Sequence, residues 1–159
     1  MNIIPYTPEH AKDFERLNKA WLNKYFEVEP IDAWVLENPD EAILSKGGSI
    51  LLAVHDGEII GAVALRPAGT NVFELTKMAV DEAFQGMGAG KLLCTAAIEE
   101  ARKLGAGRVI LYSNTKLPTA IIIYRKFGFK ELPLEPGVYK RANIKMELVL
   151  DGHAGPDAN

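Results

Sequence analysis

Residues 85 to 91 read Gln85-Gly86-Met87-Gly88-Ala89-Gly90-Lys91, and glycines this close together let a backbone turn sharply and expose consecutive N–H groups. Free N–H groups at a helix start, the positive end of the helix dipole and the Lys91 ammonium would together favour a diphosphate. The spacing excludes two familiar phosphate loops. A P-loop needs glycine at position 85 and serine or threonine after its lysine, where this chain has Gln85 and Leu92. A dinucleotide fingerprint needs G-x-G-x-x-G, whereas Gly86-Met87-Gly88 is followed by Gly90 and then Lys91. Two further side chains suit proton transfer. The Tyr124 phenol is a donor at neutral pH, and Glu74, between Phe73 and Leu75, is a partly desolvated carboxylate suited to act as a base. Taken alone, Tyr124 among Ile121, Ile123 and Phe127 reads as a core tyrosine, and Glu74 reads equally well as a solvent-facing strand residue. His10 and His55 read as surface residues, and Cys94 as a small core residue.

The elements that must position these groups follow from periodicity. Thr7-Pro8-Glu9 resembles a helix start, and Phe14, Leu17, Trp21, Leu22, Tyr25 and Phe26 form one apolar stripe that should end at Pro30. Asp32 to Ser45 reads as a second helix closed by Gly47-Gly48. Strands follow at Ile50 to His55 and Glu58 to Arg66, joined by the hairpin turn Asp56-Gly57. Pro67 to Asn71 reads as a turn and Val72 to Val80 as a third strand leading into the glycine loop. A helix from about Gly90 to Leu104, a strand at Arg108 to Ser113, a helix from Leu117-Pro118-Thr119 to Phe127 and a last strand at Ile144 to Leu150 complete the chain. This order predicts an α/β domain with a mixed sheet and helices on both faces.

The chain has 159 residues, 48% of them hydrophobic, which suits one domain over 1–150 and leaves the small, polar residues 151–159 as an expected disordered tail. A formal charge of -3 gives no electrostatic reason to expect nucleic acid or an anionic membrane as partner. With one cysteine and no His cluster, no disulfide and no metal site are expected. Neither a signal peptide nor an apolar run of roughly 20 residues is evident, so a cytoplasmic location is expected.

The spacing Gln85-x-x-Gly88-x-Gly90 resembles the Q/R-x-x-G-x-G/A motif of the GNAT N-acetyltransferase superfamily. Glu74 to Asp81 looks like that family's strand leading into the motif, and Ala120 to Phe129 is similar to its A-x-x-x-Y-x-x-x-G-F segment. The resemblance covers most of residues 50 to 150 and implies a mostly antiparallel central sheet and acetyl-coenzyme A as cosubstrate, with no metal. It also implies direct transfer of the acetyl group to a primary amine of a small molecule or an exposed protein amine.

By the same resemblance the backbone of Gln85, Gly86, Met87, Gly88, Ala89, Gly90 and Lys91 would hold the pyrophosphate. Met78, Ala79 and Val80 would pair with the pantetheine arm, and Tyr124 would protonate the departing thiolate. Glu74 or a chain of waters would serve as base. The position where the family often has asparagine is Leu117, so Asn114 is either a pantetheine contact or a cap at the start of the following helix. The first helices should roof the acceptor pocket, with Tyr25 and Glu29 as candidate substrate contacts; Glu29 and Asp32 either attract a cation or form a solvated acidic turn. The rival reading is a catalytically silent module that binds acyl-coenzyme A. Any homodimer is expected to pair through the C-terminal strand.

Overall fold

The hairpin turn at Asp56-Gly57 holds both residues at positive φ, 48° and 78°, which matches the twist of the strands it joins. In the computed structural model, which describes residues 1–137 and 139–150, this hairpin lies within a seven-stranded sheet. The strands are β1 (Asn2–Pro5), β2 (Ser49–His55), β3 (Glu58–Gly69), β4 (Val72–Val80), β5 (Arg108–Ser113), β6 (Lys130–Leu132) and β7 (Ile144–Val149). Their spatial order is β1-β2-β3-β4-β5-β7-β6, and every neighbouring pair is antiparallel except β4 with β5.

Helices cover both faces, as expected. On one face α1 (Ala11–Tyr25), α2 (Pro30–Glu37) and α3 (Pro39–Ala42) bury Phe14, Leu17, Leu36 and Ala42 against Ile50, Leu52 and Ala62. On the other, α4 (Ala89–Lys103) and α5 (Pro118–Lys126) cover Leu65, Leu75, Val109, Leu111 and Met146. Each fully buried leucine or phenylalanine contributes about 1.5–3 kcal/mol relative to exposure.

Several boundaries differ from the sequence reading. The first helix stops at Tyr25, because Phe26 leaves helical geometry (φ -147°, ψ -135°). Pro30 therefore starts a helix instead of ending one: it occupies the first turn of α2, where its missing N–H costs nothing. The expected helix from Asp32 to Ser45 is broken at Asn38, which precedes Pro39 and is pushed out of the α region to φ -135°, ψ 55°. β3 runs through the expected turn as far as Gly69, with Pro67 opposite Phe73. The short strands β1 and β6 were not expected. β6 pairs with Lys145–Glu147 and covers that part of β7, so the C-terminal strand is not the free edge that dimer pairing was expected to use. The tail assigned to residues 151–159 lies outside the described residues.

Gly48 marks a close backbone approach. A Cβ there would stand 2.4 Å from the Leu65 carbonyl oxygen and 2.8 Å from that of Ile43. Gly48→Ala is expected to cost about 1–3 kcal/mol, read as a lower urea midpoint at unchanged slope.

Candidate active site

β4 and β5 pair only at Val72 with Arg108, Phe73 with Val109 and Glu74 with Ile110. Beyond that point a cleft of about 690 Å³ opens, lined by Leu75 to Val80 on one side and Leu111 to Asn114 on the other. A bulge helps turn β4 aside. Between the pairs Ala62–Ala79 and Ala64–Thr76, β4 takes three steps against two on β3, and Lys77 sits at φ 54°. The bulge also resets the side-chain alternation: Leu75, Met78 and Val80 all face the α4 side, whereas Ala79 joins the core under α1.

The glycine turn closes one end of this cleft. Gly86 and Gly88 have φ of 84° and 86°, a region that suits glycine, and a Cβ at 86, 88 or 90 would meet no atom within 4 Å. Gly88 caps α4 without any side-chain hydrogen bond. The first N–H to reach back is that of Leu92, to the Gly88 oxygen at 3.0 Å, so Ala89, Gly90 and Lys91 keep N–H groups with no acceptor in the helix. Gln85, Gly86, Gly88, Ala89, Gly90 and Lys91 line the cleft, while Met87 turns its half-exposed side chain elsewhere. Open space, unpaired donors and a helix N-terminus fit a diphosphate.

Tyr124 lies in the wall of the same cleft, 9% exposed, with its ring edge-on to Phe129 at 5.8 Å. Burial, and secondarily Cys94, pushes the phenol above its ordinary value, so it stays protonated through the neutral range. Its hydroxyl makes no hydrogen bond among the described residues, which leaves the proton available to the cleft. Cys94 is buried on α4 and its thiol is pushed up to about 12 by burial, so it is not a thiolate.

Glu74 is not the solvent-facing alternative: it is 1% exposed in the cleft wall. One oxygen accepts from the Arg66 guanidinium, and the other accepts from the Tyr139 hydroxyl at 2.9 Å. Nor is Asp32 part of a solvated turn. It is fully buried and accepts from Lys77 at 3.0 Å and from Arg141 at 2.7 and 2.9 Å. Burial alone would raise the Asp32 pKa, but Arg141 and Lys77 outweigh it and hold the carboxyl below its ordinary value. Lys77, its side chain 4% exposed, has one carboxylate partner that it shares with Arg141; burial therefore wins and lowers its pKa.

The acceptor residues expected from sequence divide. Tyr25 lines the cleft, with its ring 5.4 Å from that of Trp21, whereas Glu29 stands outside it and accepts from Arg141 at 3.1 Å. Asn114 lines the cleft, yet its side chain is engaged in bracing: it donates to the Arg141 carbonyl at 2.6 Å and accepts from the Lys116 N–H at 2.9 Å. Lys77, Tyr139 and Arg141 were missed. For Lys77 there was a signal, a charge on the face that strict alternation gives to Leu75, which marks a bulge. Tyr139 and Arg141 stand in an aperiodic loop and gave none.

Among the described residues no helix is long and apolar enough to cross a membrane, and no three His, Cys, Asp or Glu side chains are grouped to hold a metal ion.

Residues 12–129 match the Acetyltransferase (GNAT) family. The chain is 30% identical over 106 residues to the uncharacterized N-acetyltransferase YjgM of Escherichia coli, a match spanning 65% of this chain and 64% of that one. It is 30% identical over 102 residues to YvbK of Bacillus subtilis, also an uncharacterized N-acetyltransferase, across 62% and 66% of the two chains. A GNAT-family acetyltransferase from Staphylococcus aureus superposes with a TM-score of 0.79 at 24% identity, covering 92% of this chain and 96% of that one. The structure of yncA of Salmonella typhimurium with its cofactor acetyl-CoA gives 0.77 at 22% identity, covering 100% and 99%. With the family's motif built into an open turn at the mouth of a split sheet, and the match running through most of the described fold, the chain belongs to the GNAT acetyltransferase superfamily.

Proposed function

We propose that this chain transfers the acetyl group of acetyl-coenzyme A directly to a primary amine of a small molecule or an exposed protein amine. The observation that carries the reading is the continuity of one cleft from the donor-rich turn at Gly86 to Lys91, along the unpaired stretch of β4, to the Tyr124 wall. The cosubstrate supplies an activated carbonyl carbon: as the C–N bond forms and the C–S bond breaks, one proton leaves nitrogen and one reaches sulfur. The N–H groups of Ala89, Gly90 and Lys91 bind the diphosphate, and the backbone of Met78, Ala79 and Val80 orients the arm. Tyr124 donates its proton to the departing sulfur. Glu74, its two oxygens already accepting from Arg66 and Tyr139, draws the amine's proton through water. Asn114 acts on the cleft by holding the Arg141 segment in place.

Titration calorimetry with coenzyme A, and thiol release from acetyl-coenzyme A with a panel of amines, test the reading. Gly88→Val forces a β-branched residue to φ 86°, a strain of about 1–2 kcal/mol, and fills the open side of the turn. Its affinity for the coenzyme is expected to fall by about tenfold or more. If the unaltered chain neither binds coenzyme A nor releases thiol with any amine, the proposal is wrong.

A further inference from the structure

We infer that the acceptor is an amine that also carries a carboxylate, an α-amino acid or a close chemical relative, and that Lys77 and Arg141 receive that carboxylate. The inference rests on the function proposed above and concerns the other half of the same cleft.

The placement of charge carries it. Lys77 and Arg141 are in the cleft wall, whereas the carboxylates that balance them, Asp32 and Glu29, stand behind them and outside it. The cleft thus meets the cationic side of a buried ion cluster. Donors also remain over. An ammonium has three N–H groups and a guanidinium five. Lys77 directs one contact to Asp32, and Arg141 directs three to Asp32 and Glu29, among the described residues. Buried donors without acceptors cost stability, so a carboxylate placed here would satisfy groups that the protein alone leaves short.

Lys77 is the sharper case, since the bulge brings a nearly buried ammonium to the wall of a cavity at the cost of a left-handed residue, φ 54°. The remaining chemistry agrees. Glu74, the acid in the same wall, suits the acceptor's ammonium, so the wall offers both signs to a zwitterion. Trp21, Leu22 and Phe26 face the cleft from α1 and its end and suit an apolar side chain. A polyamine, by contrast, would bring cations against Lys77 and Arg141, and like charges there are unfavourable.

Acceptors that share one phenethyl skeleton and differ at the carboxylate, compared per unprotonated amine, test this: L-phenylalanine, L-phenylalaninamide and phenethylamine, with spermidine as the cationic probe. Thiol release should give L-phenylalanine a kcat/KM at least about tenfold above its two neutral-tailed partners, the value of one charge-assisted contact. Arg141→Gln should erase that preference through KM while leaving coenzyme A affinity within about twofold. Because Arg141 also braces its loop, Lys77→Gln, which leaves the bidentate Arg141–Asp32 pair in place, serves as the second probe and should lower the same preference. Independently of turnover, the complex with coenzyme A should bind N-acetyl-L-phenylalanine more tightly than N-acetylphenethylamine. Equal or better use of phenethylamine or spermidine, or equal binding of the two acetylated products, would sink the inference while leaving acetyl transfer intact. Failure of coenzyme A to bind would remove the function on which it rests.

Discussion

Asp32→Ala is expected to lower the stability of the fold by about 3–5 kcal/mol, the range found when one partner of a buried ion pair is removed. Asp32, on α2, is fully buried and holds Lys77 of β4 and the bidentate Arg141 of the segment before β7. Alanine there leaves a lysine that is 4% exposed without its carboxylate, and it also frees the Glu29 N–H that donates to Asp32 at 3.1 Å. Against a total of about 5–15 kcal/mol for an ordinary domain this is a large fraction. Urea unfolding followed by tryptophan fluorescence measures it, and a midpoint shift no larger than that of exposed Glu41→Ala would refute the assignment. The pH dependence has a definite sign. The Asp32 pKa is depressed in the folded state, so its contribution is fully present above the ordinary value of 3.8 and is lost as pH falls through the lower folded value. Asp32→Asn should therefore lose more stability, relative to the unaltered chain, at pH 7 than at pH 2.

Tyr124→Phe is expected to lower kcat by about 10²-fold or more while leaving coenzyme A affinity and stability nearly unchanged. The separation of these readouts follows from the contacts. The hydroxyl has no hydrogen-bond partner among the described residues, so removing it orphans nothing, and the ring keeps its edge-on packing against Phe129. What disappears is a proton held ready by burial, which raises the phenol pKa. The loss should persist across the neutral range, since a phenol raised above its ordinary value does not titrate there. A kcat within about twofold of the unaltered chain would identify Tyr124 as a core residue and support the silent coenzyme-binding module instead.

Different parts of this protein were legible in its sequence to different degrees. Chain-local chemistry was plain at two turns, since Asp56-Gly57 needs two positive φ values and Gly86 and Gly88 bend the backbone that starts α4; the break at Asn38 before Pro39 is equally local but was read through as one helix from Asp32 to Ser45. Period-3.6 patterns placed α1 and α4, which each bury one stripe, and an apolar run between turns placed β3, whose residues from Ile60 to Leu65 are buried on both faces. β6 was too short, at three residues, to carry a pattern.

The amino-acid sequence by itself therefore determined the open glycine turn and the helix–sheet layering, since each depends on residues within a few positions of one another, whereas Tyr124 stood out from a core tyrosine only through the family resemblance. Tertiary structure alone decided the buried ion cluster behind the cleft. Asp32, Lys77 and Arg141 are separated by 45 and 109 positions, and only the folded sheet brings them together. An aspartate after a proline reads as a surface turn until two distant cations bury it, because the free energy of a charge depends on what surrounds it and not on its neighbours in the chain.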